Sequence, residues 1–429
     1  MSNTKVVDYW KQAEGVGRLS RLYGQDSERL AAEALRYEEL ESLFLKNFGT
    51  RGNLRFFSAP GRSEIAGNHT DHQWGKVIAA SVDLDVIAAV VPREDGIIEL
   101  ASKGYGRCDR VNTNDLAVQK NETGHSAALI RGVVAGLVQQ GYKVGGFSAF
   151  TSSEVPSGSG LSSSAAFEIL LVTILDILYN DGDIPPLQRA KIGQFAENTY
   201  FGKPSGLLDQ SGCAVGGFAA LDFAGGAMPA MKQIQVDFAR AGYAMVVTQT
   251  GGSHANLTHE YAAIPGDMRC IASALGGSVL SEVDPAAFNA SIPSLREKCG
   301  DRAVLRAIHF FTEQERVVAQ GHCLEEGRIE DFLALVNESG LSSELQLQNI
   351  TPAGETVQQE LALALALSRR FLHGKKGAVR VHGGGFGGTI QAYIALEDVE
   401  AYCADMNQVF GQGSAKVLGI RPVGGVELV

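Results

Sequence analysis

Three short glycine-rich segments constrain this chain more than any other feature. They are PGRSEIAGNHTDHQWG at 60–75, PSGSGLSSSAA at 156–166 and GGGFGG at 383–388. Glycine lets backbone pass through positive φ or come close to another group. Each segment therefore requires a tight loop at a fixed place, and regular elements must fit between the loops. Glycine supplies 51 of the 429 residues, roughly 12% against about 7% in an average protein. With only 12 prolines and no G-X-Y period, the excess excludes collagen-like and low-complexity chains. Hydrophobic residues at 45% and charged residues at 20% exclude a disordered chain, which could not offset its ordering entropy.

Strand and helix signals alternate between the loops. Residues 26–49 form an expected amphipathic helix with a stripe of Leu30, Leu35, Leu40, Leu43 and Phe44, stopped by Gly49. Strands are expected at 54–59, at 77–91 (interrupted by Asp83 and Asp85) and at 146–152, with a helix at 125–140. The 156–164 loop leads into a helix over 165–179, and a helix over 187–200 reaches the turn FGKPSG at 201–206. A strand at 243–248, a largely helical stretch over 255–372 and a closing strand–glycine–strand unit (AVRVH, GGGFGG, TIQAYIAL) complete the chain. The glycine-containing stretch AGGAMPAMKQ at 224–233 divides an expected N-terminal lobe, 1–223, from a C-terminal lobe, 224–429. The fold class is α+β, in two lobes.

A net charge of −11 argues against sequence-independent nucleic-acid binding, which needs a basic surface. The six cysteines are far apart and include no C-x-x-C, so they are expected to be free thiols in a reducing cytoplasm. The opening residues MSNTKVVDYWKQAEG show no secretory signal. The most apolar helix, 165–179, is broken by Glu168 and Asp176, so it falls short of the roughly 20 residues that cross a bilayer. No membrane or nucleic-acid partner is expected, and the chain should be a monomer or weak homo-oligomer.

Two of the loops carry superficial motifs. The third contains G-x-G-x-x-G, but the dinucleotide fingerprint needs a helix after it, and TIQAYIAL reads as a strand. His69 and His72 flank Asp71, yet that spacing suits two metal ligands only on a helix, and Gly67, Trp74 and Gly75 point to a loop. The second loop has clearer logic. Gly158 and Gly160 permit close approach, and Ser162, Ser163 and Ser164 open a helix whose N-terminus suits an anion. A serine–glycine surface turn is the competing reading of that loop alone.

In their order, the three segments resemble the motifs of the GHMP kinases, and the first narrows the likeness to galactokinases. APGRSEIAGNHTDHQWG is similar to P-G-R-x-N-L-I-G-E-H-T-D-Y-x-x-G, PSGSGLSSSAA to P-x-x-G-G-L-S-S-S-A, and GGGFGG to G-A-G-F-G-G. KPSGLLDQ at 203–210 resembles P-C-G-I-M-D-Q. The resemblance implies a two-lobed fold with ATP and a sugar meeting in the cleft, and phosphoryl transfer to an anomeric hydroxyl. It implies catalytic roles for Asp209, facing the attacking hydroxyl, and Arg62, beside the γ-phosphate. Asp209 next to an arginine should have a lowered pKa, so base and orienter both stay open. Pro156, Gly158, Gly160, Leu161, Ser162, Ser163 and Ser164 would hold the triphosphate. Ser164 and Glu197 would bind Mg2+, a hard cation that prefers oxygen. Asn68, His69, Asp71, Gly206 and Tyr261 would contact the sugar.

The first motif also departs from the family. Asn68 stands where galactokinases carry Glu, and Ser63, Glu64, His72, Gln73 and Trp74 differ as well. Exchanging carboxylate for amide removes repulsion against an anionic C6 group. Galacturonate, another hexose or a pentose therefore compete with galactose as substrate. A catalytically inactive sugar sensor is a reading of another class, and Ser164-Ala165, Arg62, Glu197 and Asp209 all stand against it.

Overall fold

The computed structural model describes residues 9–49, 52–156, 160–225, 228–252 and 257–429. Two long antiparallel strands, β1 (Arg55–Ala66) and β2 (Lys76–Arg93), form the spine of the larger sheet. Around them lie β3 (Ile97–Ser102), β4 (Cys108–Asn112), β5 (Gly146–Ser153), β6 (Phe218–Asp222), β7 (Ala230–Ile234) and the short β12 (Val426–Glu427). The order is β12-β1-β2-β5-β3-β4, with β6 on the first half of β2 and β7 outside it. Strands β3 and β5 run parallel, which requires a crossover, and helix α3 (Ser126–Gln139) supplies it. The smaller sheet is antiparallel: β11 (Ala415–Leu418), β8 (Tyr243–Gln249), β10 (Thr389–Ala395) and β9 (Gly377–His382).

Strand β2 is apolar almost throughout because both faces of the sheet are covered, and successive side chains alternate between them. Val86, Ala88 and Val90 enter the main core with Phe57 and Ala59, beneath α4 (Ser163–Tyr179). Ile87, Ala89 and Phe56 face the other way and meet Trp10, Tyr37 and Phe44, contributed by the N-terminal segment with α1 (Ala13–Tyr23) and α2 (Ser27–Phe48). Helix α2 is capped by Asp26, whose side chain accepts from Arg29 N at 2.7 Å, and stops at Gly49 with φ 70°. The two carboxylates that interrupt β2 are clamps. Asp85, wholly buried, is paired with Arg36 at 2.7 Å and Arg421 at 3.1 Å, and Asp83 is paired with Arg29 at 2.8 Å.

Helices α5 (Pro186–Phe195) and α6 (Leu208–Val215) complete the first region. Helices α7 (Thr258–Ala274), α8 (Pro285–Cys299) and α9 (Asp301–Glu326) form a bundle with its own core, while α10 (Ile329–Ser342), α11 (Glu360–Phe371) and α12 (Val399–Phe410) accompany the smaller sheet. The larger sheet reaches past residue 224 twice, through β7 and β12.

Several expectations need correction. Half of the 60–75 segment, expected as loop, belongs to β1, because glycine and proline enter a strand at bulges. The register of β1 against β2 slips between Pro60 and Arg62 and again between Glu64 and Ala66. Leu35 lies outside the buried stripe at 60% exposure, its place taken by Ala34 and Tyr37. The cysteines are not all thiols: Cys270 and Cys299 form a disulfide between α7 and α8, and Cys108 is exposed. Spacing hid that pair because the helices bring together residues 29 apart.

Candidate active site

The two bulges in β1 bracket Arg62, Ser63 and Glu64 and turn them towards the other motifs. Arg62 donates from Nε and Nη2 to Asp209 Oδ1 at 2.9 and 2.6 Å, and from Nη1 to Gly160 O. Asp209 sits in the first turn of α6, and its other carboxylate oxygen accepts from Ser162 Oγ at 2.6 Å. Leu161 O accepts from Arg62 N at 3.1 Å. Ser162 has φ 58° and caps α4, so Ser163 and Ser164 occupy the first helical positions. Their N–H groups have no partner one turn back, and the helix dipole is positive there. Glycine at 158 lies outside the described residues. Pro156 lies just before that stretch.

Burial pushes the Asp209 carboxyl up, but the Arg62 guanidinium and the Ser162 hydroxyl outweigh it and hold the group below the ordinary carboxylate range. The carboxylate is ionised at neutral pH. Its side chain keeps 27% of its surface exposed against 9% for Arg62, so the acid is the member of the pair that faces the cleft.

Residue Glu197 lies in a wide helical turn, Ala196–Phe201, that follows α5 and closes with an i to i+5 hydrogen bond from Gly202 N at 3.0 Å. Its Oε1 accepts from Ser164 Oγ at 2.8 Å and Lys203 Nζ at 2.7 Å, and its Oε2 from Ser205 Oγ at 2.6 Å and Gln210 Nε2 at 2.9 Å. Gln210 also donates to Glu168. Burial, then the Glu197 charge, pushes the Glu168 carboxyl well above its ordinary range. A serine hydroxyl against a carboxylate at the start of α4 is a hard oxygen pair of the kind that suits Mg2+.

On the other side of the cleft, the 383–388 loop presents a row of carbonyls to the first motif. Asn68 Nδ2 donates to Gly383 O at 2.7 Å, His69 Nε2 meets Gly384 O at 2.8 Å, and Tyr261 Oη donates to Gly385 O at 2.8 Å. A methyl group on Gly385 would lie 2.0 Å from Asn349 O, which explains glycine there. Asp71 and Gly206 line one cavity with His72, Leu207 and Gln194. A Cβ at Gly206 would lie 2.7 Å from Asp71 Oδ2. Burial raises the Asp71 pKa, more than the His69 charge lowers it. His72 is pushed down to about 3 by burial, so its ring is neutral.

The described site residues thus converge from five stretches of the chain, but Asn68 is not open to the cleft. It is wholly buried, and its amide is spent on protein groups. Sequence reasoning missed Ser343, Asn349, Arg380, His382 and Gln391, which hold the sugar-side motif from beneath. Single polar residues inside helical and strand patterns gave no signal. Lys203, Ser205 and Gln210 were findable, since they lie within KPSGLLDQ.

Comparison with known proteins defines the class first. The model for the GHMP kinase N-terminal domain matches residues 128–217. The crystal structure of Methanococcus jannaschii mevalonate kinase superposes with a TM-score of 0.61 at 15% identity, over 86% of this chain and 99% of that one. The fold is therefore that of the GHMP kinases. The galactokinase galactose-binding signature matches residues 42–92. Streptomyces coelicolor galactokinase is 30% identical over 364 residues, covering 84% of this chain and 89% of the relative. Clostridium tetani galactokinase is 27% identical, over 90% and 94%. The structure of Lactococcus lactis galactokinase complexed with galactose matches with a TM-score of 0.76 at 25% identity, covering 91% and 99%. The chain belongs to the galactokinase family.

Proposed function

We propose that this protein transfers the γ-phosphoryl group of ATP to the anomeric hydroxyl of galactose, giving galactose 1-phosphate. The observation that carries the reading is the Arg62–Asp209 pair, set at the N-terminus of α4 and tied to the phosphate loop through Ser162 and Gly160. Phosphoryl transfer asks for positioning and charge neutralisation rather than covalent catalysis. Arg62 neutralises charge that builds on the transferring group. Asp209, too weakly basic to take a proton early, orients the attacking hydroxyl and receives its proton as the bond forms. The N–H groups of Ser163 and Ser164 donate to phosphate oxygens. Ser164 and Glu197 would hold Mg2+, and the ion would supply neutralisation of negative charge on the phosphates.

Charge favours a neutral sugar over a uronic acid. A sugar carboxylate would enter beside Asp71, Asp209 and Glu64, while Arg62 and Arg380 are already paired with two of these. No helix among the described residues is long and apolar enough to cross a membrane. The need for ATP supports a cytoplasmic setting, although the Cys270–Cys299 bridge removes the thiol argument for it. The test is ADP release with galactose, galacturonate, glucuronate, arabinose, talose and galactosamine. We expect galactose to give the highest kcat/KM. A higher value for galacturonate would overturn the choice of sugar, and absence of sugar-dependent ADP release would overturn the kinase reading.

A further inference from the structure

Positions 64 and 68 form a reciprocal exchange. Where the galactokinase motif runs N-x-x-x-E, this chain runs Glu64-Ile65-Ala66-Gly67-Asn68. The side chains meet: Asn68 Nδ2 donates to Glu64 Oε1 at 2.9 Å. An amide–carboxylate hydrogen bond joins the two positions, with the charge at 64.

The hydrogen bonds leave the two residues in unlike states. An asparagine amide has two donors and two acceptor lone pairs, and Asn68 uses all four. It donates to Glu64 and to Gly383 O at 2.7 Å, and its Oδ1 accepts from Asn349 Nδ2 at 2.8 Å and Ser343 Oγ at 3.3 Å. At 0% exposure it has nothing to offer a ligand. Glu64 is held on one side only. Both Asn68 and Arg380 Nη2, the latter at 2.6 Å, bond to Oε1, and Oε2 accepts no hydrogen bond among the described residues. The side chain keeps 11% of its surface exposed, while Arg380 is completely covered. Arg380 spends its other groups on Val381 O and Ile65 O, so it anchors the carboxylate without reaching past it. Glu64 stands two residues from Arg62 on the bulged strand. Between the bulges the register is regular, and residues two apart on a strand share a face, so Glu64 leaves β1 on the side of Arg62, while its partner Asn68 bonds the 383–384 loop that also meets His69.

We infer that Glu64 determines sugar specificity, with Oε2 accepting a hydrogen bond from one hydroxyl of the bound sugar, and that Asn68 and Arg380 are the positioning residues that fix it. The inference rests on the galactokinase reading and assigns that reading its carboxylate. A carboxylate acceptor held by an amide and a guanidinium rewards a neutral hydroxyl and repels an acid, so the exchange keeps the selectivity that the change at 68 alone would remove.

The test measures Kd for galactose and for each monodeoxygalactose by calorimetry without nucleotide, with turnover measured separately. Loss of a hydrogen bond to a charged group weakens binding by about tenfold or more. We therefore expect Glu64→Gln to raise the galactose Kd about tenfold. For one monodeoxygalactose, the sugar lacking the hydroxyl that Oε2 receives, wild type and variant should bind equally. Glu64→Asp keeps the charge beside Arg380 but withdraws the oxygen, and it should show the same single exception. If either folded variant loses affinity equally for every sugar, or loses none, Glu64 is only a counter-ion for Arg380 and the inference is overturned. Binding without turnover in the wild type would overturn the kinase reading while leaving the Glu64 result intact. Absence of galactose binding by the wild type would overturn both.

Discussion

On the phosphate side of the cleft, few and charged groups act over modest distances in the chain. Ser164 reaches Glu197 across 33 residues, Ser162 reaches Asp209 across 47, and Arg62 reaches Asp209 across 147. On the sugar side, the Glu64–Arg380 pair apart, the contacts are neutral, numerous and remote: Asn68 to Gly383 and His69 to Gly384 each span 315 residues, and Asn349 to Asn68 spans 281. The first arrangement is an electrostatic device attached to a helix end, where each charge matters on its own. The second is a network in which buried polar groups must satisfy one another. Damage should therefore appear as lost rate on one side and as lost affinity or stability on the other.

The sharpest test of that division is Asp209→Asn. It should lower kcat by roughly 10²–10⁴-fold, the range for removing a positioned proton-transfer group, with the galactose KM nearly unchanged in steady-state assays. A KM effect as large as the kcat effect would erase the distinction between the sides.

Next comes acid titration of the sugar side. Burial, then the charges of Arg62 and Arg380, pushes His382 down to about 3. Ser63 Oγ and Thr389 Oγ1 occupy its ring nitrogens at 3.0 and 2.9 Å. A histidine near 6.5 when unfolded must shed its proton to enter this site. Its contribution is present above that value and is lost as pH falls towards 3. Glu33 and Asp83, pushed up by burial to about 7 and about 6, titrate in an overlapping window with the opposite sign, so wild type has to be compared with His382→Gln. In urea unfolding, the variant should lose up to about 1.4 kcal/mol less per pH unit below 6.5. Parallel curves would mean that His382 is charged in the fold.

A smaller effect is expected at the seam between the two sides. In Gly206→Ala, the added methyl would lie 2.7 Å from Asp71 Oδ2 and displace that carboxylate. The galactose KM should rise roughly tenfold, equivalent to about 1.4 kcal/mol, with kcat falling less. An unchanged KM would remove Asp71 from the sugar site.

The same division explains what could be read from the sequence. The helix after the second glycine-rich segment was legible because serines and an apolar run lie consecutively, and Gly49 marked the end of α2. The closing hairpin of β9 and β10 was legible from strand signals on both sides of its glycines. The conformation of 60–66 was not, because bulges depend on the partner strand and Pro60 and Gly61 read locally as loop. Short strands such as β4 and β7, with few apolar residues, carry no periodic signal. The occupation of Asn68 could not be read at all, since Ser343, Asn349 and Gly383 reach it only through the tertiary fold.

Two wide turns, Ala196–Phe201 and Ser343–Leu347, each close with an i to i+5 bond, at 3.0 Å from Gly202 N to Glu197 O and at 2.8 Å from Gln348 N to Ser343 O. One delivers Glu197 to the phosphate loop, and the other delivers Ser343 and Asn349 to Asn68. Such a turn holds one residue more than an α-helical turn. Removing a residue from either would let the ordinary helix close and swing the following side chains by roughly 100° about its axis. Chain length at these two points is therefore part of the site: a single-codon deletion in either turn would disarm one side of the cleft without changing any residue named in it.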